Sequence, residues 1–468
     1  MPGCELIRCI PFRLLQQRGL ALARPKVKRD SQLLISCKRS ELNHYVGTVF
    51  NSLDEVPLAS KGWNHSKSKN DHFTILPIIS DQQSRETKQP FSNFQFDQRL
   101  VKVLESYNIK HATTFQSEAI PSVFQGDHTF LAAETGCGKT VSYLVPAIQR
   151  LITYQKNDCD TRLNSPRVVI LVPNRELAFQ VGELAQNLCQ SVNLVANTLV
   201  GGRVKRIMLN PTFENVDVLV ATPGVLGKLS TVGIYKLDSV ENLILDEVDT
   251  LIDDSFIERM EGLLKRMSQA QLIFVAATLP KKLPDILTPY EESMQQIISP
   301  NIHKPLLNIT QKFLRITRSV KPAHLLQILK SDKGSTVIFT NRNTTCKWLA
   351  MFLRENNIPC SNINGDMPPQ IRTEQWNQFV EGETKILSAT DVGSRGLNTI
   401  QINHVLNYDF PLYAADYIHR IGRVGRLGSP TNCTVTNFIT SPEEIKLVQQ
   451  IEVGIFSKGF NPIRWSRV

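Results

Sequence analysis

The sequence predicts an α/β chain built as two parallel sheets, each wrapped by helices. The first observation is an alternation that begins near Phe91. Short apolar runs at 129–132, 168–172, 197–200, 216–220, 242–245 and 272–276 lie between longer amphipathic or charged stretches. Strands separated by helical stretches read as parallel-sheet units. The second observation is that the pattern returns after Ser319, with runs at 336–339, 360–363, 385–388, 404–408 and 434–438. The third is the segment between the blocks, 298–305, which carries Pro300 and Pro305 and reads as a hinge. The expected units are therefore 91–297, a linker at 298–309, and 310–468. Residues 1–90 lack sustained periodicity and read as an irregular basic extension.

Composition bounds the class. The chain has 468 residues, 41% hydrophobic and 21% charged, which is ordinary for a globular protein. No stretch reaches the ~18 apolar residues of a membrane span, so no membrane insertion is expected. Net charge is +10, and residues 1–90 hold 14 Lys/Arg against 8 Asp/Glu, which places +6 of it there. A basic balance suits a polyanionic partner. The remaining chain is only mildly basic, so a nucleic-acid groove must come from placed residues. Nine scattered cysteines with no Cys-x-x-Cys argue against a zinc site and fit free thiols in a reducing compartment.

The first 29 residues hold five Arg and two Lys with one acid, Glu5. Leu6, Ile7, Ile10, Leu14 and Leu15 can share a helical face. An Arg-rich, acid-poor, amphipathic start is the pattern of a mitochondrial transit peptide. A basic arm that touches RNA, or a nuclear or nucleolar signal, is the alternative; Pro11 interrupts a helix there.

Two motifs carry chemistry. Ala133, Glu134, Thr135, Gly136, Cys137, Gly138, Lys139 and Thr140 form a glycine-rich turn ending in Lys-Thr, after an apolar strand. Gly136 and Gly138 let backbone N–H groups wrap a polyphosphate. Lys139 reaches the outer phosphates, and the Thr140 hydroxyl can ligate Mg²⁺. About a hundred residues on, a second apolar strand ends in Asp246 and Glu247. Mg²⁺ takes few carboxylates, with phosphate oxygens and water completing its shell. The two motifs in this order point to nucleoside triphosphate hydrolysis with Mg²⁺ at Thr140 and Asp246, largely through water. Cys137 reads as a small residue in a tight turn or as an oxidation-sensitive thiol.

In order, these and the following motifs resemble those of the DEAD-box RNA helicases, over about 91–440. The resemblance implies two RecA-like domains that close on ATP and RNA. Phe91, Thr113 and Gln116 match the adenine-reading segment: Phe91 as the aromatic stacking on the base, Gln116 as the group bonding its edge. Lys139, Asp246 and Glu247 take the catalytic roles, with Glu247 orienting the attacking water. Pro173, Arg175, Gly202, Thr222 and Gly224 match the RNA face of the first domain; Arg372 and Thr390 match that of the second. Asp249, Thr278, Arg395, His419 and Arg420 match positions that couple the domains, and Arg423 and Arg426 match the arginine fingers.

The chain departs from the family's usual residues at several places: Val225 for Arg, Val248 for Ala, Ala276 for Ser, Val424 for Thr. Among family members, the basic start, the short C-terminal end and the segment 250–256 look most like the mitochondrial helicase of large ribosomal subunit assembly. The resemblance implies an RNA-stimulated ATPase, monomeric, with RNA and ribonucleoprotein assembly factors as partners. An ATP-gated RNA clamp or assembly scaffold with little unwinding is the competing expectation.

Overall fold

The computed structural model describes residues 32–48, 56–78, 89–154, 163–202, 204–252, 254–279, 284–285, 287–300, 302, 308–332, 334–391, 402–425, 430 and 432–456. The proposed targeting segment, Arg395 and Arg426 lie outside them. Both predicted α/β units are present, each with a parallel sheet.

The first unit holds β4 (Gln89–Pro90), α1 (Gln98–Ser106), β5 (His111–Ala112), α2 (Thr114–Gln125), β6 (Thr129–Ala132) and α3 (Lys139–Thr153). It continues with β7 (Val168–Leu171), α4 (Arg175–Ser191), β8 (Ala196–Leu199), α5 (Val204–Leu209), β9 (Val218–Ala221) and α6 (Pro223–Thr231). It ends with β10 (Asn242–Asp246), α7 (Val248–Leu251), α8 (Asp254–Arg266), β11 (Gln271–Ala276), α9 (Thr288–Glu291) and β12 (Gln295–Ile298). The sheet order is β12-β6-β11-β10-β7-β9-β8, all parallel. Central strands such as Val-Val-Ile-Leu of β7 are buried along their whole length, because helices cover both faces. Two apolar clusters result, one on each side of the sheet.

The second unit holds β13 (Thr310–Arg315), α10 (Lys321–Ser331), β14 (Thr336–Thr340), α11 (Asn343–Glu355), β15 (Cys360–Ile363) and α12 (Pro369–Val380). It closes with β16 (Ile386–Thr390), β17 (His404–Asn407), α13 (Ala414–Ile421), β18 (Thr434–Ile439) and α14 (Pro442–Phe456). Its parallel strands run in the order β15-β16-β14-β17-β18-β13.

Two boundaries differ from the sequence reading. Ile298 closes β12 and pairs with Ala132, so it belongs to the first sheet and not to the linker 298–309. More importantly, the extension 1–90 is not an irregular arm where it is described. β1 (Leu33–Cys37), β2 (His44–Tyr45) and β3 (His72–Ile75) continue the second sheet antiparallel, with β3 on β13, β1 on β3 and β2 on β1. Trp63, Phe73 and Phe313 are buried together, with Phe73 stacked on Phe313 at 4.6 Å and Trp63 tilted against Phe73 at 5.4 Å. Burying such rings contributes roughly 2–3 kcal/mol each. The carboxylate of Glu452, on α14, accepts from Ala59 N at 2.6 Å and Ser60 N at 3.2 Å, which ties the extension to the far end of the chain.

Candidate nucleotide and nucleic-acid site

The phosphate loop joins β6 to α3. Gly136 and Gly138 have φ of 89° and 88°, left-handed values that favour glycine. A Cβ on Gly138 would stand 2.3 Å from Gln116 Nε2, so that position is closed to side chains twice over. Lys139 turns its ammonium back onto the loop, donating to the carbonyls of Ala133 (2.6 Å) and Glu134 (2.9 Å). A triphosphate replaces these two acceptors with better, charged ones. Burial pushes the Cys137 thiol up to about 11, which keeps it an unreactive packing group at neutral pH.

The adenine segment is joined directly to this loop. Thr113 caps α2: its hydroxyl accepts from Gln116 N (3.2 Å) while Gln116 Oε1 accepts from Thr113 N (2.8 Å). The same Thr113 hydroxyl donates to Cys137 O at 3.2 Å, and Gln116 Nε2 donates to Gly138 O at 3.1 Å. Both ends of the Gln116 amide are thus engaged, and the side chain is buried. In this conformation Gln116 links the two segments instead of presenting its amide to a base edge. Phe91 is a correction: it is 1% exposed inside the core cluster below the segment, so it supports the segment from beneath and offers no face for stacking.

Asp246 and Glu247 stand at the C-terminal end of β10. Glu247 has φ 52°, a strained value for a side-chain-bearing residue, and strain of this kind concentrates at functional sites. Asp246 is buried, accepting from the Tyr143 hydroxyl at 2.7 Å and from Glu247 N at 2.9 Å. Burial raises its pKa to about 6, against the lowering hydrogen bond from Tyr143. Sequence reasoning missed Tyr143. Its signal was there: it stands four residues after Lys139 on one helix, hence on the same face.

Whether these residues fit Mg²⁺ can be tested on the donors themselves. Asp246 is a desolvated carboxylate next to a second acid, an arrangement that a cation stabilises. Among the described residues, no group of three or more His, Cys, Asp or Glu could hold a metal. A single carboxylate with a hydroxyl suits an ion that keeps phosphate and water ligands, so the set fits Mg²⁺ and not a dedicated metal cage.

The second domain faces this site with α13. Gly422 abuts the phosphate loop, where a Cβ would lie 2.0 Å from Thr135 Oγ1. Arg423, the next residue, is buried at this junction. Asp249 accepts from Thr278 N (3.0 Å) and Thr278 Oγ1 (2.7 Å), and its Oδ2 is 3.4 Å from His419 Nε2 across the cleft. Burial alone raises Asp249, but His419 and Thr278 overcome it and bring the carboxyl down to about 2. A continuous set of contacts thus runs from Thr278 through Asp249 to His419 across the cleft. Arg420 is not part of it. It is 1% exposed and held within its own domain by Asp391 (two bonds of 2.7 Å), Asn341 (2.6 Å), Asn407 (3.2 Å) and Asp409 O (2.7 Å).

The segments expected to face RNA include a contact between the domains, Arg372 with Glu176. Asn174 caps α4, accepting from Leu177 N at 2.8 Å, which places Arg175 in the first turn. Gly202, at φ 96°, lies against the Arg175 guanidinium: a Cβ there would be 3.3 Å from Nη1. Pro173 precedes this turn, and Thr222 and Gly224 stand at the start of α6. From the second domain, Arg372 Nη1 reaches Glu176 Oε1 at 3.2 Å, and Thr390 ends β16. Within these segments four polar atoms are buried without a partner: Asn174 Nδ2, Glu176 Oε2, Arg372 Nε and Thr390 Oγ1. The family departures all turn inward. Val225 is 5% exposed, and Val424 and Ala276 are 0% exposed, each in an apolar core.

A phosphate loop on one parallel sheet, faced by an arginine-bearing helix from a second, is the arrangement of a nucleotide-driven protein that works by closing a cleft. Residues 113–286 match the DEAD/DEAH box helicase family, and 320–428 match the helicase conserved C-terminal domain. The human "Probable ATP-dependent RNA helicase DDX28" is 36% identical over 472 residues, covering 94% of this chain and 87% of that protein. The mouse protein of the same name is 36% identical over 494 residues, covering 97% and 90%. RhlB of Psychromonas ingrahamii is 30% identical over 347 residues, covering 73% and 82%. Among solved structures, S. cerevisiae Dbp5 bound to RNA and ADP BeF3 superposes with a TM-score of 0.66 at 23% identity, covering 79% of this chain and 94% of that one. Mss116p bound to ssRNA and AMP-PNP gives 0.68 at 22% identity, covering 82% and 80%. These last two define the fold as two RecA-like domains. The chain belongs to the DEAD-box family of ATP-dependent RNA helicases.

Proposed function

We propose that this chain hydrolyses ATP when RNA bridges its two domains and uses the closure to separate short duplexes or remodel ribonucleoprotein. The observation that carries this is the contact of Arg372 with Glu176 across the two domains at 3.2 Å, where Arg372 Nε and Glu176 Oε2 are buried without a partner. Such atoms cost about 1–3 kcal/mol each when left unpaired, a cost that phosphate and ribose groups can offset. Bonds to a backbone position the strand without reading its sequence.

On the nucleotide edge, Lys139 gives up the carbonyls of Ala133 and Glu134 for phosphate oxygens. Glu247, held in its strained turn, orients the attacking water. Arg423, next in sequence to the glycine that abuts Thr135, stabilises charge developing on the transferred phosphate, a role worth ~10³ or more in rate. Thr140 and Asp246 would hold Mg²⁺, with Tyr143 fixing the Asp246 carboxylate. When bound, the ion supplies charge neutralisation on the phosphates. Thr278, Asp249 and His419 carry the state of this edge between the domains.

The test separates binding from chemistry. Glu247→Gln should retain ATP and RNA binding while RNA-stimulated hydrolysis falls ~100-fold or more. Wild-type turnover in that variant would remove Glu247 from the mechanism. A clamp with little strand separation is favoured by one observation: Val225 is packed in the core where the family presents an Arg. Strands separated per ATP hydrolysed, measured on a short duplex, discriminates the two.

The Arg-rich first 29 residues support a mitochondrial site of action, and with it ribosome assembly as the process. A fluorescent fusion of residues 1–40 should colocalise with mitochondria; nucleolar or diffuse signal would move the function elsewhere.

A further inference from the structure

The first domain carries an open cavity of about 560 Å³ between α4 and the edge strand β8. Its walls come from Phe179, Glu183 and Gln186 on α4, from the edge strand β8 at Asn197, and from Ile207 and Tyr235. Both main walls continue out of the RNA face. Helix α4 begins at Arg175, one turn before Phe179, and β8 leads directly toward Gly201 and Gly202. Residues four apart on a helix are neighbours on one face. Phe179 therefore stands one turn from Arg175 on the same helix, within reach of a strand held at Arg175 and Gly202.

The lining chemistry selects among ligands. Phe179 is 52% exposed, an aromatic face left in solvent. The amides of Gln186 and Asn197 have no protein hydrogen-bond partner among the described residues, and each can both donate and accept. Among the described residues no Lys or Arg lines the cavity, and Glu183 does, which disfavours a phosphate there. An aromatic face, two free amides and one carboxylate describe a receptor for a neutral, flat heterocycle with donors and acceptors on its rim. We propose that the cavity receives one unpaired nucleobase of the RNA strand, stacked on Phe179 with its edge toward Gln186 and Asn197. The proposal rests on the RNA-binding reading above and adds to it a base contact that backbone recognition lacks. The amide pair makes that contact sensitive to which base is present.

The experiment uses the full chain with ADP–beryllium fluoride and short single-stranded RNA bearing one abasic nucleotide, moved through the strand one position at a time. Stacking of one base on an aromatic residue predicts a loss of about tenfold in affinity at a single position and little elsewhere. Phe179→Ala should weaken intact RNA by about tenfold and flatten the scan, while Phe179→Trp restores both. Because Phe179 is exposed, the Ala variant should keep its fold and its affinity for ATP. Gln186→Ala and Asn197→Ala should change which base is preferred at the sensitive position. A wild-type chain that binds RNA with a flat scan overturns the base pocket and leaves the RNA reading standing; a peptide occupant of the cavity would produce that result. A wild-type chain that binds no RNA overturns both.

Discussion

Arg420 and Arg372 belong to the same domain, both match motif positions, and they are held in opposite ways. Arg420 is enclosed: its guanidinium meets Asp391, Asn341, Asn407 and the Asp409 carbonyl, and it lies 5.2 Å from the centre of the Phe339 ring. Arg372 has one charged partner at 3.2 Å, in the other domain, and a buried Nε with none. A guanidinium with every donor matched is a strut that fixes its own domain. One with a long bond and an unmatched donor is available to a ligand. Motif membership therefore does not assign a role; hydrogen-bond accounting does.

The sharpest way to break this contrast is Arg420→Ala. Removing one partner of a buried, hydrogen-bonded pair leaves the other uncompensated and costs about 3–5 kcal/mol. Urea unfolding of the second domain should show that loss. Arg420→Lys should recover little of it, because an ammonium cannot supply a planar fork of five donors. If Arg420→Ala unfolds like wild type but loses RNA-stimulated hydrolysis, Arg420 couples the domains after all and the strut assignment fails.

Arg372→Ala should give the complementary result. Its ion pair with Glu176 joins two domains through a single 3.2 Å bond and leaves an atom of each residue already unpaired, so stability should change by less than in Arg420→Ala. Affinity for single-stranded RNA should fall about tenfold, and the salt dependence of binding should become shallower by about one phosphate contact. ATP affinity in the absence of RNA should be unchanged. A large loss of stability with intact RNA affinity would reverse the assignment of the two arginines.

Much of this was legible in the chain. Fully buried, largely apolar strands flanked by helices announced both sheets, because burial on both faces writes a continuous run into the sequence. The phosphate loop and the Asp246–Glu247 strand end were legible for the same reason: backbone geometry there demands particular residues. What stayed hidden depended on partners. Strands β1 and β3 span five and four residues, no shorter than β6 or β7, but each is only partly buried, so neither writes a continuous apolar run. They are stabilised by the edge of β13, whose alternating Thr-Gln-Lys-Phe-Leu-Arg looks polar until paired. Phe91 was identifiable as an aromatic at the right place, but sequence spacing does not say which way a ring turns. Tyr143 was hidden because a tyrosine at helical spacing reads as core until a carboxylate is found opposite it.

The buried contact of the N-terminal extension differs from both arginine sites, since its anchor is a titratable acid in a place that disfavours charge. Burial raises Glu452 from 4.5 to about 7, even though the backbone N–H groups of Ala59 and Ser60 favour the charged form. The sign follows from linkage. An acid with a raised folded-state pKa holds its proton in the folded chain and loses it in the unfolded one. Its stabilising contribution is complete below about 4.5 and is lost as pH rises through about 7. The wild-type unfolding temperature should therefore fall between pH 5 and pH 8 by more than in Glu452→Gln. That variant keeps an acceptor oxygen for Ala59 N and removes the charge. At pH 8 the variant should be the more stable by ~1 kcal/mol, or about 3 °C for a domain of this size. Hydrogen exchange of residues 56–75 should slow in parallel, because these are the residues the carboxyl holds against α14. Parallel pH curves for wild type and variant would show that the N–H bonds to Glu452 outweigh its burial, and that the extension is docked by a stably charged carboxylate.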